Sequence, residues 1–296
     1  MTFSTTYCRL RHLKHLQVSK RIALLATLTA LSACNGTDTR PPVSSPGADK
    51  QASTAVLETG AAMLQSHPPL DALNTYLDGF HFYNGTIESQ MEAHHYCSIL
   101  NEEVIQCVIY DGNVKDAHLM GVEYIISAKL FEGLPTEEKA YWHSHSHEVT
   151  SGQLVAPGIP EPAEHALMEK LVNTYGKTWH TWHTDKDKSL PLGVPQLMMG
   201  FTRDGQADPQ MVKARDERMG LDSVAEREAR KDIKPQPVLP GANAWMDGKV
   251  IQLPDPSGTA SHHQPRGHRI KAPTAGLPHL ECGLPACVRF DKGVTA

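Results

Sequence analysis

Much of what usually reveals a protein's task is missing from this chain. There is no G-x-S-x-G elbow, phosphate loop, G-x-G-x-x-G fingerprint or H-E-x-x-H pair, so no standard hydrolase, nucleotide or zinc-protease chemistry is legible. No internal repeat breaks the 296 residues into an array. The apolar run Ile22–Ala33 has twelve residues, too few for a membrane-spanning helix, which needs about 20. A basic excess is also lacking. With 28 Lys and Arg against 33 Asp and Glu the chain is acidic, which argues against broad nucleic-acid binding and against electrostatic attachment to anionic lipid.

The start of the chain is its most informative stretch. Lys20 and Arg21 precede the uncharged run, and the run ends in Leu31, Ser32, Ala33 and Cys34. A cationic start, a short apolar segment and small residues before a cut form an export signal. The last four residues resemble the lipobox of bacterial lipoproteins. That resemblance implies a signal peptide over 1–33, a lipid-modified Cys34 as first mature residue, and residence on the outer side of a bacterial membrane, periplasmic or at the outer membrane. Removing the leader takes away five basic residues (Arg9, Arg11, Lys14, Lys20, Arg21) and no acid, so 23 basic residues remain against 33 acidic ones, a formal charge of −10. The expected partner is membrane lipid, reached through acyl chains at Cys34 and not through the protein surface. The alternative is a soluble protein cut near Ala33 with an incidental cysteine.

Residues 34–68 read as a flexible tether, rich in Pro, Ser and Gly, with a weak helix over 51–65. A single core domain is expected over 69–233, followed by a Pro- and Gly-rich extension over 234–296 that wraps the core or is partly disordered. Strands are predicted at 91–100, 104–110, 121–127, 148–156, 177–184 and 197–202. The predicted helices are 161–175, one from the Asp208–Pro209 cap to Gly220, and one from Asp222 to about Lys231. The fold class is α+β, a mainly antiparallel sheet with packed helices. A turn at 101–103 would bring Cys97 opposite Cys107, within disulfide reach, although two buried thiols fit as well. Cys282 and Cys287 suit a small disulfide loop. None of the four looks like an exposed nucleophile.

Fifteen histidines remain after the leader, in clusters. Together with neighbouring blocks (GFHFYNG, QMEAHHYCSIL, QCVIYD, GVEYIIS, WHSHSHEV, YGKTWHTWH and LPLGVPQLMMGFT) they make the stretch from Gly79 to about Gly205 resemble the oil body-associated protein family. The resemblance implies a protein that works at a lipid surface without an established enzymatic activity. It also implies histidine at the positions of His143 and His145, and another residue at those of His147 and His183.

From the residues themselves, His143, His145 and His147 would share one face of a strand. With Glu148, or with His94 or His95, they could hold a divalent ion such as zinc. The family pattern narrows the candidate metal ligands to His143, His145 and one of His94 and His95. The plainer alternative has these histidines hydrogen-bonded in a polar core beside Trp142, Trp179 and Trp182. The stretch from Gly79 to Gly85 alternates aromatics with His81 and could line a pocket, although a packed edge segment is expected, and His262, His263 and His268 are expected in an exposed tail. Three functions follow. The first is a non-enzymatic binding or structural component at a lipid surface, with no cofactor. The second is a His-ligated metal-dependent hydrolase or lyase using Glu92 or Glu148 as base. The third is a small-molecule binder with a cavity beside Trp179 and Trp182.

Overall fold

The computed structural model describes residues 37–186 and 189–255. Cys34, Cys282, Cys287 and the tail histidines lie outside the described residues. So do the leader and most of the extension.

Seven strands form the core: β1 (Thr75–Tyr83), β2 (Thr86–Asn101), β3 (Val104–Tyr110), β4 (Leu119–Ser127), β5 (His143–Ser144), β6 (Thr174–His180) and β7 (Gln196–Met199). Every pairing is antiparallel. The order β1-β2-β3-β4 continues from β4 to β6, from β6 to β7 and from β7 back to β1, so six strands close into a barrel with β5 beside β6. Closure leaves these strands no free edge. The α+β class and the antiparallel sheet hold, and the sheet closes on itself. The segment around His81 is no edge: β1 lies between β2 and β7.

The β2–β3 hairpin shows local chemistry at work. Asn101 Oδ1 accepts from Glu103 N (2.8 Å) and Val104 N (2.9 Å), which tightens the turn. A register shift between Ile99 and Asn101 absorbs Leu100, and from Ile99↔Ile105 outward the pairs run to Cys97↔Cys107. The two cysteines are joined by a disulfide.

Helix ends follow their caps. Helix α7 (Pro209–Met219) starts under Asp208, whose carboxylate accepts from Gln210 N, and stops at Gly220 in the left-handed region. Helix α8 (Ser223–Ala229) starts under Asp222 in the same way. The other helices are α1 (Ala52–Leu64), α2 (Pro68–Asp71), α3 (Ala128–Glu132), α4 (Thr136–Lys139), α5 (Ser146–Thr150) and α6 (Glu161–Leu171). Among the described residues no helix is long and apolar enough to cross a membrane.

Two expectations fail for tertiary reasons. Helix α6 ends at Leu171 and not at Tyr175, because Tyr175 pairs with Ile126 in β6 and stacks on Phe131 at 3.9 Å. The predicted strand 148–156 is instead α5 followed by a loop, bridged to β1 only at Asp78↔Val155. Its carbonyls have another partner: the buried Arg230 guanidinium donates to Val149 O (2.7 Å) and Leu154 O (2.9 Å).

Alternation divides each strand into an inner and an outer face. The inner residues stack in three layers. An apolar floor of Leu77, Ile125, Val149, Met168 and Leu171, with the disulfide, closes one end. Tyr83, Met91, Ile109, Met120 and Met198 fill the other. Between them lies a polar layer, described below. The outer face of β1 and β7 (Phe80, Phe82, Leu197, Met199) is covered by Met211 and Val212 of α7 and by Trp245 and Ile251 of the extension. Burying each such side chain contributes roughly 1.5–3 kcal/mol.

Candidate metal centre in the barrel

The register assembles the polar layer from distant parts of the chain. On β1, Leu77, Gly79, His81 and Tyr83 face inward. Leu77 pairs with His95, and Cys107 pairs with Glu123, which in turn pairs with Thr178, so His95 and Glu123 face inward too. His180, two residues beyond Thr178, does the same. His143 enters on β5 opposite Gly176, and His145 and Glu148 enter at the start of α5. All seven side chains are buried.

Glu123 is the hub. Its carboxylate lies 2.9 Å from His95 Nε2, 3.2 Å from His145 Nε2, 3.4 Å from His143 Nε2 and 3.9 Å from His81 Nε2. His81 Nδ1 lies 3.4 Å from His180 Nε2. Atoms of His81, Glu123 and His143 come within 4.8 Å of one another, as do those of His143, His145 and Glu148. The cavity at this point is about 10 Å³, room for one ion or one water.

The outer nitrogens determine where the protons sit. His95 Nδ1 lies 3.0 Å from the Ala93 carbonyl, which can only accept, so Nδ1 carries the hydrogen. Thr174 spends its hydroxyl hydrogen on Leu171 O (2.7 Å), so the contact with His145 Nδ1 (2.8 Å) also requires N–H at Nδ1. In the neutral rings both Nε2 atoms are then bare lone pairs facing a carboxylate. His95 Nε2 and both nitrogens of His143 lack an aligned hydrogen-bond partner among the described residues. Lone pairs converging on an anion repel it unless positive charge stands between them. A divalent cation supplies that charge with one ion, and rings held at Nδ1 by a carbonyl or hydroxyl are the usual outer support of imidazole ligands.

Burial acts against a charge on three of the rings. Burial and His95 push His81 well below its ordinary value, burial lowers His143, and burial with His95 takes His180 down to about 3. Burial alone would raise the Glu123 carboxyl. The surrounding His143, His145 and His95 overcome that and hold it well below the usual range. Glu148 goes the other way, pushed well above its ordinary value by burial and by Glu123.

Glycine makes room. A Cβ on Gly176 would fall on Glu123 Oε1 and lie 2.8 Å from His145 Nε2, and one on Gly200 would lie 2.6 Å from Glu148 Oε2. The extension locks β5 in place. Asn243, itself in the left-handed region, accepts from Ser144 N at Oδ1 (2.9 Å), donates from Nδ2 to Ser144 Oγ (2.9 Å), and donates from N to Trp142 O (2.9 Å).

Of the expected ligands, His143, His145 and His95 are thus brought together. His94 is not. One residue from His95, it lies on the outer face, with Nδ1 3.0 Å from Asp78 Oδ2 and 2.8 Å from the Tyr76 hydroxyl. Glu92 is with it, away from the chamber, so it cannot act there as a base. His147 also leaves: strand geometry ends at Ser144, α5 turns the ring outward, and its Nε2 lies 3.9 Å from Asp204. Trp179 packs outside against Tyr141, and Trp182 against His118. Only His180, between them, turns in. His81, Glu123 and His180 were not foreseen. The signal for Glu123 was present: in GVEYIIS it shares a face with Gly121 and Ile125, a charge at a core position.

Residues 67–234 match the family model described as "Protein of unknown function (DUF1264)". The chain is 42% identical over 210 residues to oil body-associated protein 1B of Arabidopsis thaliana, spanning 70% of this chain and 87% of that protein. It is 44% identical over 185 residues to oil body-associated protein 1A of Zea mays, spanning 62% and 78%. Oil body-associated protein 2A of Zea mays is 40% identical over 205 residues, spanning 68% and 81%. No solved structure matches.

Proposed function

Since the chain belongs to the oil body-associated protein family, we propose that it is a lipid-surface protein whose barrel is organised around one divalent metal ion. Glu123, His81, His95, His143 and His145 would hold the ion. The observation that carries this is the convergence of bare imidazole nitrogens on the Glu123 carboxylate. Nitrogen and oxygen donors suit zinc, manganese or iron. A cavity with room for a single ion or water supports a binding or structural role, since structural sites are closed whereas catalytic ones keep an open position. Elemental analysis of the purified full chain tests this. One equivalent of metal is expected, with at least a tenfold loss in a His143→Ala, His145→Ala variant. Metal-free wild-type protein would remove the proposal.

Attachment to lipid falls to Cys34. The leader that ends there supports a bacterial lipoprotein outside the cytoplasm, and three acyl chains would make residence effectively permanent, since one chain binds only marginally. Cells fed a fatty-acid analogue should label the wild type and not Cys34→Ala. An unlabelled wild type would end the anchor.

One observation favours an enzyme as a second reading. Glu148, a buried acid whose carboxyl burial and Glu123 push upward and whose Oε2 lacks a hydrogen-bond partner among the described residues, stands beside His143 and His145 as a general acid would in a hydrolase or lyase. Ester hydrolysis by the metal-loaded chain that is abolished in Glu148→Gln with metal content unchanged would establish it. Equal rates would refute it.

A further inference from the structure

Residues 37–45 do not leave the core. Asn113 holds the segment on both sides: its Oδ1 accepts from Thr39 N (2.7 Å), its Nδ2 donates to Thr37 O (3.0 Å), and its own N donates to Thr39 O (3.1 Å). Arg218 Nε donates to Thr39 Oγ1 (2.8 Å), Val43 is buried, and Ser45 Oγ lies 3.0 Å from His118 Nε2. The strap therefore docks on the 111–118 loop and on α7. Cys34 is three positions before Thr37 in the chain, and three extended residues span at most about 11 Å.

Beside the strap, a cavity of about 330 Å³ opens between α2 and the outer face of β2 and β3. Its apolar wall is Leu70, Leu73, Tyr96, Val108 and Tyr110, and Lys115 stands at the side. Leu70 is 65% exposed, and the rings of Tyr96 and Tyr110 meet edge-on at 5.7 Å, so the surface is apolar, built and open. Gly112 both lines this groove and carries the strap, where any Cβ would strike Thr39 O.

We propose that this groove is a lipid-binding site that takes one acyl chain of a bilayer lipid, with Lys115 facing the headgroup phosphate. The occupant is argued from where the described chain begins. Thr37 is docked next to the groove, and the residue that would carry the lipid lies three positions before it, so an anchored molecule presents this side of the barrel to the membrane. The orientation rests on the proposed Cys34 anchor, while the groove's affinity for an acyl chain does not, and the two are tested apart.

The full chain and its Cys34→Ala variant are incubated with phosphatidylcholine vesicles containing one fifth phosphatidylglycerol and a phosphatidylcholine with a photoreactive acyl chain. Crosslinked peptides are then mapped by mass spectrometry. Crosslinks are expected on residues 96–115 in both chains. They should fall at least tenfold in Val108→Asp, and about threefold in Lys115→Glu, which is exposed and keeps the fold if Val108→Asp does not. Thermal melts check each variant. Absence of groove crosslinks in both chains overturns the proposal, as does their persistence in both Val108→Asp and Lys115→Glu. Groove crosslinks with no fatty-acid label on Cys34 leave the groove standing and remove the anchor and the orientation alone.

Discussion

His94 and His95 are adjacent in the chain, yet they serve two buried acids on opposite sides of the same barrel wall. On the outer side Asp78 lies between His94 and Arg215, whose guanidinium donates to Asp78 Oδ1 at 2.8 Å and also meets Gln153 O and Ser223 Oγ. Burial alone would raise the Asp78 carboxyl, and His94 with Arg215 hold it below its ordinary value. A permanent cation closes this network. On the inner side Glu123 is as deeply buried but faces only imidazoles, rings that are neutral unless protonated at a cost. One acid brings its counter-charge in the sequence, and the other must acquire it. The difference separates a structural clasp from a site.

Three changes would break or sharpen this contrast, the largest expected effect first. Arg215→Met leaves buried Asp78 with only His94 beside it and no permanent cation, and stability in urea should fall by about 3 kcal/mol, while any metal bound at the chamber stays. Metal lost along with stability would show that the two sides are not independent. Gly176→Ala drives a methyl group onto Glu123 and His145. Overpacking of this kind costs about 1–3 kcal/mol, and here the metal content should drop as well, which a purely structural crowding of the core would not require.

The smallest effect concerns Glu92, paired with Arg218 on the outer side. Burial and then Asp78 raise its carboxyl to about 6 from 4.5, against the pull of His94 and Arg218. The folded state therefore holds this proton more tightly than the unfolded one. The stability so gained is fully present below pH 4.5 and is lost as pH rises through about 6. About 1.36 kcal/mol per unit gives at most about 2 kcal/mol. Glu92→Gln should flatten the stability profile between pH 4.5 and 6.5. An unchanged slope would show that Glu92 is ionised throughout, tied to Arg218.

How far each feature was legible follows the range of its interactions. The Asp208–Pro209 and Asp222 caps, the Gly220 stop and the opposition of Cys97 and Cys107 depend on neighbours a few positions away, and they stand in the structure where the residues place them. The run 148–156 was misleading because its β-prone composition loses to Arg230, a partner some 80 residues later. The alternating histidines 143, 145 and 147 were misleading because the strand that would align them is two residues long. Glu123 carried a local signal, a charge among core positions of GVEYIIS, but its partners His81 and His95 joined it only once the strands were paired.

By itself, then, the chain determined the helix starts at Asp208 and Asp222, the stop at Gly220, the opposition of Cys97 and Cys107 and its net acidity, because each is set by local chemistry or simple sums of charge. Tertiary structure alone decided that β4 meets β6, and with that closure which histidines meet. Residues with a period of two fall on opposite faces, so one step along β2 separates His94 from His95, and only the closed barrel turns one of those faces into a chamber around Glu123.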